Sequence, residues 1–221
     1  MFFFYLTSGL FLGWSLGAND AANIFGTAVG SKMIRFRTAA IIAGIFVILG
    51  ATLQGSGTTN TLSQLGSVDA LAGAFTVALS AALVIFLMTK ALIPVSTTQA
   101  IVGAIIGWNL FTGHKTDTDL LVTIVSTWLA GPLLGALFSA LFYLLLRALL
   151  RKLQIHLVIL DVYIKWALII VGAFGAYSLG ANNIANVMGV FAGSAPDVVI
   201  DLGIFSLDGL RVLFLLGGIA I

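Results

Sequence analysis

Two asparagines and an aspartate lie close together in the first long apolar stretch of the chain. They are Asn19, Asp20 and Asn23. Positions three or four apart share one face of a helix, so this face would offer carboxylate and amide oxygens. A carboxylate in the apolar interior of a membrane costs about 2.5–3.5 kcal/mol unless a cation, a proton or water offsets it. The motif therefore predicts an alkali-cation site, with hydrogen bonding between helices as the alternative for the asparagines.

This polar motif occurs twice in the chain. The segment 16–31, which begins LGANDAANIFG, aligns with the segment 179–194, which begins LGANNIANVMG. Asparagines at matching offsets within a shared glycine pattern favour an internal repeat over chance similarity between small-residue helices. The second copy has three amides, one of which replaces the carboxylate: Asn182, Asn183 and Asn186.

A second polar cluster follows a proline in an otherwise apolar region. Pro94 ends the preceding helix and suits the first turn of the next one. The side chains after it would then lie at a helix N-terminus, where unpaired N–H groups and the helix dipole favour an anion. Hydroxyls and an amide add neutral donors that suit a tetrahedral oxyanion, and local capping of the helix is the alternative. The residues are Ser96, Thr97, Thr98 and Gln99.

The composition predicts that lipid, rather than water, surrounds most of the protein. Hydrophobic residues make up 60% of the 221 positions and charged residues 8%, whereas soluble domains carry about 25% charged residues. The net charge of +2 is small and scattered, so nucleic acid is not an expected partner. The absence of cysteine excludes disulfides and thiolate metal sites. His114 and His156 have neither a partner nucleophile nor metal-ligand spacing, so we do not expect an enzyme.

Several apolar stretches are long enough, or nearly so, to cross a membrane as helices of about 20 residues. They run over residues 2–29, 36–53, 71–92, 120–146 and 166–192, and from 210 to the end. A further apolar stretch, 95–111, follows Pro94 with almost no intervening loop. Residues 71–111 therefore form either two full crossings or a helical hairpin that enters and leaves on one side.

The basic residues predict the orientation of these spans. Most of the ten lysines and arginines fall in the segment 32–37 and in the predicted loop 147–165, on the side that the first span reaches. Aspartates predominate in the segments on the other side, which include the linker 56–70 with Asp69 and the loop with Asp197 and Asp201. The positive-inside rule then places the N-terminus outside. The chain crosses an odd number of times between the two motif copies, so they run in opposite directions, as in inverted-repeat transporters.

Together these motifs resemble the inorganic phosphate transporter family, the PiT permeases, whose halves each carry a Gly-Ala-Asn-Asp-x-x-Asn motif and a Pro-x-Ser-Thr-Thr hairpin. The resemblance covers essentially the whole chain. It implies an all-α integral membrane protein, an inverted-repeat secondary transporter with broken helices and a helical hairpin. It also implies uptake of inorganic phosphate at the plasma membrane, with Na⁺ as the coupling ion and no other cofactor. The ion residues it implies are Asn19, Asp20, Asn23, Asn182, Asn183 and Asn186. The phosphate residues it implies are Ser96, Thr97, Thr98 and Gln99, with Asp20, Asn23, Asn182 and Asn186.

The chain departs from the family pattern at two points. Asn183 stands where the family usually has aspartate, which removes a charge from the second copy and leaves the ion number there open. No second Pro-x-Ser-Thr-Thr segment occurs before Ile221. We therefore expect residues 1–150 to form the first repeat and residues 151–221 to form the start of a truncated second repeat. The missing hairpin would come from a longer form of the protein or from another chain.

The sequence leaves other functions open. Proton-coupled transport of phosphate or sulfate would use the same fold. A passive ion channel or a non-transporting membrane subunit belongs to a different class, although broken inverted repeats argue against a channel. The small-residue face Gly131–Gly135 fits either the seam of a homodimer or ordinary packing within the chain, and we expect the latter.

Overall fold

The computed structural model describes residues 1–57, 59, 68, 70–153, 156–195, 200–201 and 206–221. Regular structure within these residues is helical apart from one antiparallel pair of two-residue strands, Ile200–Asp201 and Ser206–Leu207. Most of the predicted linker 56–70, including Asp69, lies outside the described residues, as does Asp197. The helices are α1 (Phe2–Gly30), α2 (Phe36–Gln54), α3 (Leu71–Lys90), α4 (Thr97–Thr112), α5 (Thr118–Leu153), α6 (Leu157–Met188), a 3₁₀ turn (Gly189–Ser194) and α7 (Gly209–Ala220).

Four of the described helices are long and apolar enough to cross a membrane by length and composition: α2, α3, α5, and α6 continued by its 3₁₀ turn. Together with the almost exclusively helical structure, they confirm an all-α, multi-pass membrane protein. α1 is 29 residues long, but it is not among these four helices because its Asn and Asp side chains lower its mean hydropathy. α7 has 12 residues, which is shorter than the roughly 20 that a full span needs.

The basic segment 147–165 is not the loop that the sequence predicted. α5 continues to Leu153 and α6 begins at Leu157, so most of this segment is helical. With 36 residues, α5 is about 54 Å long at 1.5 Å per residue, whereas the hydrocarbon core of a bilayer is about 30 Å thick. Its last turns can therefore extend into the headgroup region, where Arg147 and Arg151 keep their charges solvated along the helix.

α3 and α4 form a hairpin whose turn lies beside α1, well before the end of that helix. α3 runs parallel to α1, because Phe75 near its start stacks on Phe4. Phe86 near its end packs against Trp14. The turn between α3 and α4 then contacts α1 at Asn19, and α1 continues for about 16 Å beyond this contact. The geometry therefore favours the helical hairpin over two full crossings.

The two motif copies run in opposite directions. Gly9, near the start of α1, packs against Phe191, just beyond the end of α6. Phe25, near the end of α1, packs against Gly172 in the middle of α6. Because residues pair in opposite order along the two helices, α1 and α6 are antiparallel. This confirms the inverted arrangement that the crossing parity predicts.

α2 and α6 approach backbone to backbone through two glycines. A Cβ at Gly50 would collide with the Tyr177 carbonyl oxygen, and a Cβ at Gly180 would collide with the Val47 carbonyl oxygen. Small residues permit such close approach between membrane helices. The contact holds α6 at the start of its motif copy, so the polar residues that follow lie at a fixed depth.

The two motif copies differ in backbone conformation. α1 stays helical through Gly26, whereas the second copy changes to a 3₁₀ turn at Gly189, which occupies the matching position in the repeat. Gly17 instead permits close approach, because a Cβ there would collide with the Ile221 carbonyl oxygen. The first motif glycine therefore permits close helix contact in both copies, at Gly17 and Gly180, and only the second copy changes its helix type at the next motif glycine.

The buried core lies where α1, α3, α4, α6 and α7 meet. It includes Leu16, Ile85, Ile101, Ile184 and Phe214, each at most 1% exposed. Leu16 begins the first motif copy, and Ile184 lies within the second. Apolar packing therefore surrounds the segments that carry the polar motifs.

α5 packs differently from the other long helices. None of its residues is buried. Gly131 and Gly135 have no atom within 4 Å of a Cβ position among the described residues. The packing within the chain that we expected of this small-residue face is therefore not seen in the described structure.

Candidate functional site

The turn between α3 and α4 brings a polar segment, residues 95–99, to the interior of the helix cluster. The turn begins with Leu92 in the left-handed region, at φ 59°. Its N–H donates to the Thr89 carbonyl, and the Ile93 N–H donates to the Met88 carbonyl. This is the hydrogen-bond pattern of a Schellman motif, where glycine is usual. A leucine there costs about 1–2 kcal/mol, so the chain holds strain at the point where it reverses.

Ser96 caps the helix that follows. Its Oγ accepts a hydrogen bond from the Gln99 N–H at 3.3 Å. The local capping role, which was the alternative to anion binding, is therefore seen for this hydroxyl. The N–H groups of Thr97 and Thr98 belong to the same first turn, where backbone donors have no partner within a helix.

The first motif copy contacts this segment through Asn19 and Asp20. The Asn19 amide nitrogen donates to the Val95 carbonyl oxygen and to the Asp20 carboxylate, both at 2.8 Å. The other carboxylate oxygen of Asp20 accepts a hydrogen bond from the Thr97 hydroxyl at 3.4 Å. Thr97 is only 3% exposed. Both oxygens of the Asp20 carboxylate are therefore positioned by neutral donors.

The second motif copy contacts the same segment through Asn186. The Asn186 amide nitrogen donates to the Thr98 hydroxyl at 3.0 Å and to the Asn183 amide oxygen at 2.9 Å. Asn186 is 3% exposed, so these hydrogen bonds lie away from solvent. Because Thr97 and Thr98 are adjacent, the start of α4 joins the two motif copies.

Four of the predicted site residues lie outside this network of side chains. Asn23, Asn182, Ser96 and Gln99 are exposed. Ser96 and Gln99 contact each other through the cap described above, and no side-chain hydrogen bond from the four to α1 or α6 is seen among the described residues. Their predicted roles in ion and phosphate binding therefore remain predictions.

Two further groups contact the network and were not predicted. The Thr89 hydroxyl donates to the Asn19 amide oxygen at 3.4 Å, and the Val95 carbonyl accepts from the same amide. Thr89 carried one usable signal, since it is a lone hydroxyl at the end of an apolar helix just before the proline break. The Val95 carbonyl carried none, because a backbone acceptor cannot be identified from the type of its side chain.

The electrostatics of the site centre on Asp20. Its carboxylate is half-buried, and no ion pair to it is seen among the described residues. The nearest base along α3, Lys90, instead places its ammonium 5.5 Å from the centre of the Phe86 ring. A carboxylate with amide and carbonyl oxygens beside it offers the hard ligands that alkali and alkaline-earth cations use. The adjacent helix N-terminus offers N–H and O–H donors to an anion.

Known proteins share this sequence pattern. The model of the phosphate transporter family matches residues 16–164. A sodium-dependent phosphate transporter from Plasmodium falciparum is 37% identical over 155 residues, which cover 61% of this chain and 22% of that protein. A predicted phosphate permease from Pyrococcus furiosus is 35% identical over 137 residues, which cover 57% of this chain and 33% of that protein. The matched part thus spans a third or less of these relatives.

A solved structure shares the fold. The chain of a sodium-dependent phosphate transporter superposes with a TM-score of 0.72 at 22% sequence identity. The match covers 99% of this chain and 73% of that one. At this level of identity, the similarity establishes the arrangement of the helices and nothing more specific.

Proposed function

Because this chain belongs to the phosphate transporter family, we propose that it carries inorganic phosphate across a membrane together with Na⁺. The transport is secondary active, with the sodium gradient as the energy source. We place the protein in the plasma membrane with its N-terminus outside, from the distribution of basic residues along the sequence. The relatives named for phosphate transport support the substrate, and the one named sodium-dependent supports the coupling ion.

One structural observation carries this proposal. The segment 95–98, at the start of α4, accepts a hydrogen bond from each inverted motif copy, and its Thr97 hydroxyl also donates to Asp20 of the first copy. Inverted-repeat transporters bind substrate and ions at the interface between repeats, near helix ends that lie inside the membrane. The junction of α1, α4 and α6 has this arrangement.

In the proposed mechanism, the cation and the anion bind on adjacent sides of this junction. Na⁺ lies against the Asp20 carboxylate, whose two oxygens are oriented by Asn19 and Thr97. Phosphate lies at the α4 N-terminus, where backbone N–H groups and the hydroxyl of Thr98 donate to its oxygens. The cation lowers the electrostatic cost of bringing phosphate into an apolar region. Movement of the hairpin relative to α6 then exposes the site to one side of the membrane at a time.

The proposal is tested by uptake of radiolabelled phosphate into vesicles that contain the complete protein under an imposed Na⁺ gradient. Asp20→Asn keeps the shape of the side chain and removes its charge. We expect sodium-driven uptake to fall at least tenfold, since a hydrogen-bonded charge contributes about 1.5–3 kcal/mol.

The matched control is Asp119→Asn, the same substitution at an exposed residue in the first turn of α5. Sodium-driven uptake that survives Asp20→Asn unchanged would contradict the proposed role of the carboxylate. Uptake that follows a proton gradient, or that is competed by sulfate, would favour a proton-coupled or oxyanion permease instead. Unsaturable currents without coupling would indicate a channel.

A further inference from the structure

In each motif copy, an asparagine amide donates to the side chain at the same repeat position, which is a carboxylate at Asp20 and a neutral amide at Asn183. In the first copy, the Asn19 amide donates to the Asp20 carboxylate at 2.8 Å. In the second copy, the Asn186 amide donates to the Asn183 amide oxygen at 2.9 Å. Each copy also contacts the start of α4, through Asp20 in one case and through Asn186 in the other. The acceptor position is therefore the same in both copies, although its donor comes from a different motif position in each, and only the first acceptor carries a negative charge.

The neutral acceptor changes what the second copy can bind. The Asn183 oxygen already accepts from Asn186, and no acceptor for the Asn183 amide nitrogen is seen among the described residues. That oxygen keeps one lone pair but carries no net charge, and the N–H groups of the amide are donors that suit an anion. Asp20 has no N–H group, and the unshared electron pairs of its oxygens suit a cation.

We propose that the coupling cation binds at the first motif copy alone, and that the second copy binds no cation and supplies neutral donors to the anion. This inference rests on the proposed function, and it concerns the number of coupling ions at that same site. The residue that decides it is Asn183, because it occupies the position of Asp20 in the repeat. The pair of motif copies then carries one negative charge instead of two.

The decisive variant is Asn183→Asp in the complete protein. A carboxylate at this position keeps an oxygen for the Asn186 amide, so the cross-helix contact to Thr98 can persist. It also places a second negative charge at the junction. We expect this variant to bind about one more Na⁺ ion than the wild type, and therefore to depend more steeply on the Na⁺ concentration.

Ion binding can be measured without transport. The melting temperature of the purified protein is followed against the logarithm of the Na⁺ concentration in the absence of phosphate. Each additional site that binds only the folded state adds its own linkage contribution, so a second equal site about doubles the limiting slope. The slope should increase in Asn183→Asp and decrease in Asp20→Asn. Cation sites elsewhere in the protein contribute equally to every variant, so their contribution cancels when the slopes are compared.

Two further variants complete the test. The double variant Asp20→Asn with Asn183→Asp keeps the net charge and moves it to the other copy, so the sodium response lost in Asp20→Asn should return. Thr118→Asp adds the same charge at the exposed start of α5 and should leave the slope unchanged. The inference is overturned if the slope for Asn183→Asp is no larger than the slope for the wild type. It is also overturned if the double variant shows no sodium response. If the wild-type protein takes up no phosphate, the proposed function is refuted instead. The two outcomes can be distinguished, because the sodium slopes are measured without transport.

Discussion

The hydrogen bond between Thr98 and Asn186 should stabilise the hairpin against the second motif copy. Thr98→Val replaces the hydroxyl by a methyl group of nearly the same size, so it leaves no cavity. It also removes the acceptor that the Asn186 amide nitrogen contacts at 3.0 Å. One of the two N–H groups on that nitrogen is still bonded to Asn183, and the other loses its partner at a residue that is 3% exposed.

The expected magnitude follows from the cost of that unpaired donor. Hydrogen bonds between membrane helices contribute on average about 0.6 kcal/mol and at most about 1.7 kcal/mol. A buried donor left without a partner costs about 1–3 kcal/mol. We therefore expect Thr98→Val to lower the free energy of unfolding by about 1–2 kcal/mol, which is a factor of about 5–30 in the ratio of folded to unfolded protein.

The assay is equilibrium unfolding of the purified protein in mixed micelles, with a double-mutant cycle. The cycle combines Thr98→Val with Asn186→Leu, and we expect a coupling energy of about 0.5–1.5 kcal/mol. Thr76→Val is the matched control, because the exposed Thr76 hydroxyl donates only to the Ala72 carbonyl of its own helix at 2.9 Å.

Two results would refute this reasoning. The first is a loss of stability in Thr98→Val no larger than the loss in the Thr76 control. The second is a coupling energy that is zero within experimental error. Either result would mean that the start of α4 is not held by α6 through this bond.

Two further predictions concern the support of the site and the contact between α2 and α6. Thr89→Val should raise the Na⁺ concentration for half-maximal uptake by about two- to tenfold, because it removes the donor that orients the Asn19 amide oxygen. A similar increase in the Thr76→Val control would argue against a specific role for Thr89. Gly180→Ala should lower the free energy of unfolding by about 1–3 kcal/mol, since its Cβ would collide with a backbone carbonyl. Gly44→Ala, where a Cβ meets no atom within 4 Å, should be neutral or slightly stabilising, and equal melting temperatures for the two alanine variants would contradict the close helix contact.

Much of the fold could be predicted from local features of the sequence. The apolar stretches predicted the helices, since a helix in lipid must satisfy its own backbone and expose apolar side chains. Pro94 predicted the break between α3 and α4 because proline cannot continue the preceding helix. The extent of α5 was not predicted, since its end lies beyond the apolar stretch, where hydropathy gives no signal and charged residues are compatible with either helix or loop.

The candidate site was predicted less completely than the fold. The motif pattern identified Asn19, Asp20 and Asn186, whose side chains contact the segment 95–98 in the structure. It did not separate them from Asn23 and Asn182, which have the same residue type but face outward. Repeat position alone cannot make this distinction, because inversion turns different members of the two copies toward the same hairpin.

The sequence by itself determined that the chain is a membrane protein with two inverted motif copies, one of which lacks a carboxylate. These properties follow from composition, residue spacing and the parity of crossings, and none of them depends on which helices touch. Only the tertiary structure decided that α3 and α4 turn back beside Asn19 and that Thr97 and Thr98 each contact a different copy. The physical reason is that a hydrogen bond between two helices depends on the depth and the rotation of each helix within the membrane. Close contacts between residues far apart in the chain, such as that of Gly180 with Val47, set this depth and rotation.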